Sequence, residues 1–85
     1  MNIAILYGGK SGEHEVSLVS ASSIARNIPE AGNTVRLIGI TKKGAWYLQD
    51  QKLLEEIRSN PKAVLSISES ESRRVAIVPG GGVAG

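Results

Sequence analysis

The chain has 85 residues, enough for one small domain with a core of limited size. It lacks cysteine and phenylalanine, which excludes disulfide staples and cysteine metal sites and leaves Ile, Val, Leu and Ala to build the core. A net charge of +2 with Lys and Arg scattered along the chain gives a nucleic-acid interface little support, and no apolar run reaches membrane-spanning length.

In chain order, the run Ile3-Ala4-Ile5-Leu6 predicts a buried strand over residues 1–7. Met1-Asn2 leads into it without the basic stretch of a signal peptide. Glycine-rich residues 8–12 follow. A helix is then expected to start between Glu13 and Ser17 and to run to about Asn27. Val16, Leu18, Val19, Ile24 and Ile28 give it a roughly helical apolar spacing. Ser17, Ser20, Ser22 and Ser23 are poor helix formers, so packing must hold it. Pro29 and Gly32-Asn33 end it. Residues 34–40 read as a second strand, and a strand–helix–strand unit of this length implies a parallel pair with a right-handed crossover. Lys43-Gly44 marks the turn of a short hairpin, with Trp46 and Tyr47 expected to form a lid over one end of the sheet. Asp50 reads as an N-cap, and Leu53, Leu54 and Ile57 place one apolar stripe on a helix ending near Asn60-Pro61. Residues 63–67 form a further apolar stretch, residues 66–74 a solvated turn, and residues 74–78 a last strand. The glycine-rich residues 79–85 read as a flexible loop tip that continues into a larger chain. The fold expected is α/β, a small open parallel sheet of Rossmann-like type with flanking helices and a short hairpin.

The chemistry-bearing residues collect between the first strand and the first helix, where open α/β sheets bind ligands. Gly9-Lys10-Ser11 is not a phosphate-binding P-loop, because Ala4 stands where that pattern needs its first glycine. Gly8, Gly9 and Gly12 lack the spacing of a dinucleotide fingerprint, and Ile40-Thr41 close the second strand without an acidic residue. Glu13, His14 and Glu15 are consecutive and point to different sides, so they cannot converge on one metal ion. The plain reading of the two glutamates is that the positive end of the helix dipole favours them.

The whole string Gly8-Gly9-x-Ser11-x-Glu13-His14-Glu15-Val16-Ser17-x-x-Ser20-Ala21 resembles the N-terminal signature of the D-alanine–D-alanine ligases. Downstream, Ile38-Gly39-Ile40-Thr41-Lys42-x-Gly44-x-Trp46-Tyr47 is similar to that family's second strand and hairpin. The resemblance implies that residues 1–85 are the N-terminal, pre-ATP-grasp, substrate-binding domain of a larger cytoplasmic enzyme. That enzyme joins two D-alanines for peptidoglycan synthesis with ATP and Mg²⁺. It also implies that Glu13 holds the ammonium of the first D-alanine, that Val16 neighbours its methyl group, and that Ser17 caps the helix, supports Glu13 or itself binds the substrate. His14, Glu15 and the Gly8-Gly9 pair take supporting roles. The nucleotide-binding lysines, magnesium carboxylates and oxyanion-stabilising arginine of the family lie in other domains. The fragment alone is therefore expected to bind no cofactor and to make no dipeptide, and the intact enzyme to be a homodimer. Two alternatives are a related ligase of the D-alanine–D-lactate type and a stand-alone binding module.

Overall fold

A computed structural model describes residues 1–9, 14–78 and 82–84. The elements run β1 (Asn2–Gly8), α1 (His14–Asn27), β2 (Thr34–Ile40), β3 (Trp46–Leu48), α2 (Gln51–Ser59), a 3₁₀ turn at Glu71–Arg73, β4 (Arg74–Val78) and β5 (Gly82–Ala84). Strand order in the sheet follows chain order. β1 and β2 pair in parallel with Ile5 opposite Leu37 and Gly8 opposite Ile40, as the βαβ spacing requires. The expectation of a parallel sheet holds for that pair alone. β2–β3, β3–β4 and β4–β5 are antiparallel, so the sheet is mixed. The β2–β3 connection is too short for the crossover that a parallel neighbour needs, and a reversal at Gly44 (φ +89°) turns the chain back instead.

Residues alternate across the sheet. Ile3, Ile5 and Tyr7 of β1 and Val35 and Leu37 of β2 face α1 and α2, where they pack with Ala21, Ala25, Leu54, Ile57 and Leu65. Burying each large aliphatic side chain contributes about 1.5–3 kcal/mol, and this single layer carries the stability that the serine-rich α1 cannot supply by propensity. Ser22 fits the core because its hydroxyl donates to the Leu18 carbonyl (2.7 Å) and accepts the Leu65 amide (2.8 Å). Asp50 caps α2 as the sequence predicts, its carboxylate accepting the Lys52 amide at 2.9 Å. The opposite sheet face, with Ala4, Ile38, Leu48 and Val75, borders an open hollow of about 840 Å³.

Two further expectations change. Trp46 and Tyr47 are neighbours on β3 and so take opposite faces; Tyr47 is buried and donates to the Glu71 carboxylate at 3.0 Å, and the pair is no lid. At the chain end, the loop tip expected at residues 79–85 includes β5, which pairs with β4; Pro79, Gly80, Gly81 and Gly85 lie outside the described residues.

Residues 63–70 carry neither helix nor strand, yet they are strapped across the core by side chains. The Tyr7 hydroxyl donates to the Ser66 carbonyl (2.6 Å), and the Gln49 amide both accepts the Ser68 N–H (2.9 Å) and donates to its carbonyl (3.2 Å). Buried backbone groups without a ladder need such partners.

Candidate functional site

β1 ends in two glycines with positive φ, Gly8 at +98° and Gly9 at +105°, a conformation that glycine adopts without the steric penalty of a Cβ. The Gly9 N–H donates to the Ile40 carbonyl at the end of β2 (2.9 Å). The Gly8 N–H donates to the Ser17 hydroxyl (2.9 Å), and His14 Nδ1 lies 2.8 Å from the Gly9 carbonyl oxygen. A carbonyl only accepts, so the ring proton of that bond resides on Nδ1. His14 and Ser17 are three residues apart on α1, on one helix face, and helical side chains lean toward the N-terminus, which brings both back onto the strand end.

The turn opens onto a cleft of about 480 Å³ bordered by His14, Leu18, Thr41, Lys42, Ser66 and Ile67, with Lys43 and Glu69 at its edge. It lies beyond the carboxyl ends of the parallel pair, the ligand position of open α/β sheets. Lys42 and Lys43 are exposed and give this rim a positive charge. The larger hollow on the other sheet face is a weaker candidate. Three of its polar groups are engaged in the fold: Asp50 caps α2, Gln51 donates to the Val35 carbonyl, and Gln49 holds residue 68.

The structure thus brings Gly8, Gly9, His14 and Ser17 into one bonded cluster. Ser17 is not the helix cap, because α1 already begins at His14; its hydroxyl holds the strand end instead. Glu15 is exposed in the first turn, and Val16 is exposed (62%) and does not border the cleft. Glu13 lies outside the described residues, as do Lys10, Ser11 and Gly12. No group of three His, Asp or Glu side chains among the described residues is arranged to hold a metal.

Sequence reasoning missed Ile67. A Cβ on Gly8 would come within 2.9 Å of its Cδ1, and one on Gly39 within 2.8 Å of its Cγ1, so Ile67 is seated in a slot that two glycines leave free. A glycine inside a strand signals such a close approach, and Gly39 carried that signal.

A glycine turn at the end of a parallel strand, gripped by the first helix and opening onto a cleft, marks a small α/β domain with one candidate site at its strand ends. The chain belongs to the family described as the D-ala D-ala ligase N-terminus, whose sequence model matches residues 2–81. It is 58% identical over 82 residues to the D-alanine–D-alanine ligase of Treponema denticola, an alignment covering 96% of this chain and 22% of that protein. With the D-alanine–D-alanine ligase of Treponema pallidum it shares 49% identity over 85 residues, 100% of this chain and 21% of the relative. Among solved structures it is similar to the D-alanine–D-alanine ligase from Coxiella burnetii (TM-score 0.61, 37% identity, 71% of this chain and 17% of that one). It is also similar to the VanG D-Ala:D-Ser ligase from Enterococcus faecalis (TM-score 0.59, 32% identity, 91% of this chain and 21% of that one). The chain spans about a fifth of the length of these curated relatives.

Proposed function

We propose that these residues are the substrate-positioning N-terminal domain of a cytoplasmic, homodimeric, ATP-dependent ligase that joins two D-alanines for peptidoglycan synthesis. The observation that carries this reading is the bonded turn of Gly8, Gly9, His14 and Ser17, built from the residues of the family signature and closed on the end of the parallel pair. In this reading Glu13, directly before His14 in sequence, holds the ammonium of the first D-alanine. An ionised carboxylate is an acceptor alone and binds –NH₃⁺ by charge-assisted hydrogen bonds. Holding the ammonium orients the amino acid so that its own carboxylate is presented for activation, a positioning role. The exposed Val16 is free to meet the substrate methyl group once the rest of the protein closes over it.

In this reading ATP and Mg²⁺ are held by the remaining domains of the same chain, as the family resemblance implies. A second reading, a ligase that accepts a partner other than D-alanine at the second position, draws on the likeness to the D-Ala:D-Ser ligase; the D-alanine–D-lactate type belongs to the same reading. The fragment leaves Glu13 with the same task in both.

The test is steady-state kinetics on the intact enzyme. Glu13→Gln keeps the size of the side chain and removes its charge, leaving the ammonium with a weaker partner at a cost of about 2–5 kcal/mol. The loss is expected as a raised KM for the first-site D-alanine, with kcat falling where orientation suffers, and with the KM for ATP unchanged. Glu15→Gln, in the same first turn, is expected to change stability by no more than about 1 kcal/mol, the worth of a helix-dipole carboxylate. Wild-type D-alanine kinetics in Glu13→Gln with a lowered melting temperature would sink the assignment.

A further inference from the structure

We propose that the outward face of α1, with Val64 beside it, is a docking surface for a second copy of this chain. The inference rests on the homodimer named in the reading above and deepens it by placing the contact.

The two helices differ in what they show to solvent. The exposed residues of α2 are Gln51, Lys52, Glu55, Glu56 and Ser59, the charged face of a helix that meets water. After Glu15 in its first turn, α1 exposes Val16, Val19, Ser20, Ser23, Ile24 and Asn27, with no charge among them. Val64 stands beside this face: the carbonyl of Ala63 before it accepts Arg26, and the N–H of Leu65 after it donates to the Ser22 hydroxyl at 2.8 Å. Of the six large hydrophobic side chains exposed among the described residues, Val16, Val19, Ile24 and Val64 lie here, each half or more open to solvent. Clustered apolar exposure of this kind marks an interaction surface, whereas single exposed side chains do not.

The chemistry of the face favours a second copy as its occupant. At a two-fold axis a surface meets itself, so any charge on it would meet its own sign, and this face has none. A serine hydroxyl both donates and accepts, so Ser20 and Ser23 can pair with their own counterparts across the axis; an ammonium or a carboxylate cannot. Val16 is already assigned to the substrate, but Val19, Ile24 and Val64 are not, and none of the three borders the cleft. Domains of the same chain that close over bound substrate do so at the strand ends, which leaves the outer side of the helix layer open. A helix of 14 residues is about 21 Å long. Its face is only part of the roughly 800 Å² that each partner of a standard interface buries, so the remaining contact falls to other parts of the intact chain.

The experiment measures the dimer dissociation constant of the intact enzyme by sedimentation equilibrium. Val19→Glu and Ile24→Glu each place like charges across the axis and are expected to raise that constant by about 100-fold or more. Glu55→Lys, on the exposed face of α2, is expected to leave it unchanged. Co-expressing Val19→Glu with Val19→Lys is expected to restore a heterodimer, a rescue that a contact within one chain cannot give. Glu variants that dimerise as tightly as wild type, a monomeric wild type, or a Glu–Lys pair that stays apart each overturn the proposal. Should the Glu variants fail to fold alone, the co-expressed pair still decides, since recovery of a folded heterodimer requires the second copy. Dipeptide formation is followed in parallel. An enzyme that dimerises through this face but makes no dipeptide would bring down the ligase reading and leave the docking surface standing.

Discussion

A methyl group added at Gly8 would stand 2.2 Å from the Ile40 carbonyl oxygen and 2.9 Å from Ile67 Cδ1, whereas one added at Gly9 meets no described atom within 4 Å. Both glycines have positive φ, so both alanine variants bear a backbone strain of about 1–3 kcal/mol. Gly8→Ala adds a clash with the backbone of β2, where overpacking costs a further 1–3 kcal/mol or so. Chemical denaturation is expected to rank Gly8→Ala well below Gly9→Ala in stability; equal losses would mean that the close approach to Ile40 is relieved by a small shift. The adjacent glycines were legible in the sequence as a sharp turn. The reason they differ was not, because it depends on Ile67, which lies 59 positions after Gly8. Ser17 shows the same limit. Its hydroxyl was identifiable as a hydrogen-bonding group near a helix start, but its partner is the end of the preceding strand, and only the folded turn sets that direction.

The two helices close each other's ends. Arg26, in the last turn of α1, donates Nε to the Ile57 carbonyl (3.1 Å) and a terminal nitrogen to Asn60 (3.2 Å) and Ala63 carbonyls. Arg58, in the last turn of α2, donates to the Ala25 and Ile28 carbonyls (3.3 and 3.2 Å) and reaches Glu30. Each arginine thereby satisfies carbonyls that a helix C-terminus leaves without partners, and the cation complements the negative end of the dipole. Arg26→Met keeps the stem and removes the fork, leaving part-buried carbonyls unpaired. A loss of about 1–3 kcal/mol is expected by thermal unfolding, and Arg26→Lys should recover little, since an ammonium cannot reproduce the forked geometry. Glu30→Gln serves as control: its carboxylate is 76% exposed, and such a pair is worth under about 1 kcal/mol. The elements themselves were readable from local chemistry: Asp50 as a cap, Lys43-Gly44 as a turn, Leu54 and Ile57 as one buried helix face. Strand direction beyond the β2–β3 hairpin was not, because hydrophobic runs such as residues 74–78 look alike in parallel and antiparallel sheets.

Both tyrosines are drawn into the fold. Burial pushes the Tyr7 hydroxyl well above the ordinary range, and it pushes Tyr47 up too, helped by the hydrogen bond to Glu71. The native state therefore keeps both hydroxyls protonated where the unfolded chain would ionise at about pH 10. Their contribution to stability is intact below that pH and is lost as the pH rises through the raised native values. An alkaline titration followed by tyrosinate absorbance is expected to show no tyrosine ionising near its ordinary pKa, and both doing so once the chain unfolds. A tyrosine titrating normally in the folded protein would contradict the burial described here.

The strap over residues 63–70 has a further consequence, for the order in which the chain assembles. Its anchors are remote in sequence: the Leu65 amide meets Ser22 across 43 positions, and the Ser66 carbonyl meets Tyr7 across 59. Those bonds form only after the loop entropy of most of the chain has been overcome, and they need β1 and α1 already packed to present Tyr7 and Ser22 side by side. Ile67 in turn seats only in a slot whose walls, Gly8 and Gly39, come from two strands already in register. Closing the strap is thus expected to come late and to depend on correct pairing of β1 with β2. A chain whose strands pair one residue out would present the wrong faces and would have nowhere to put it.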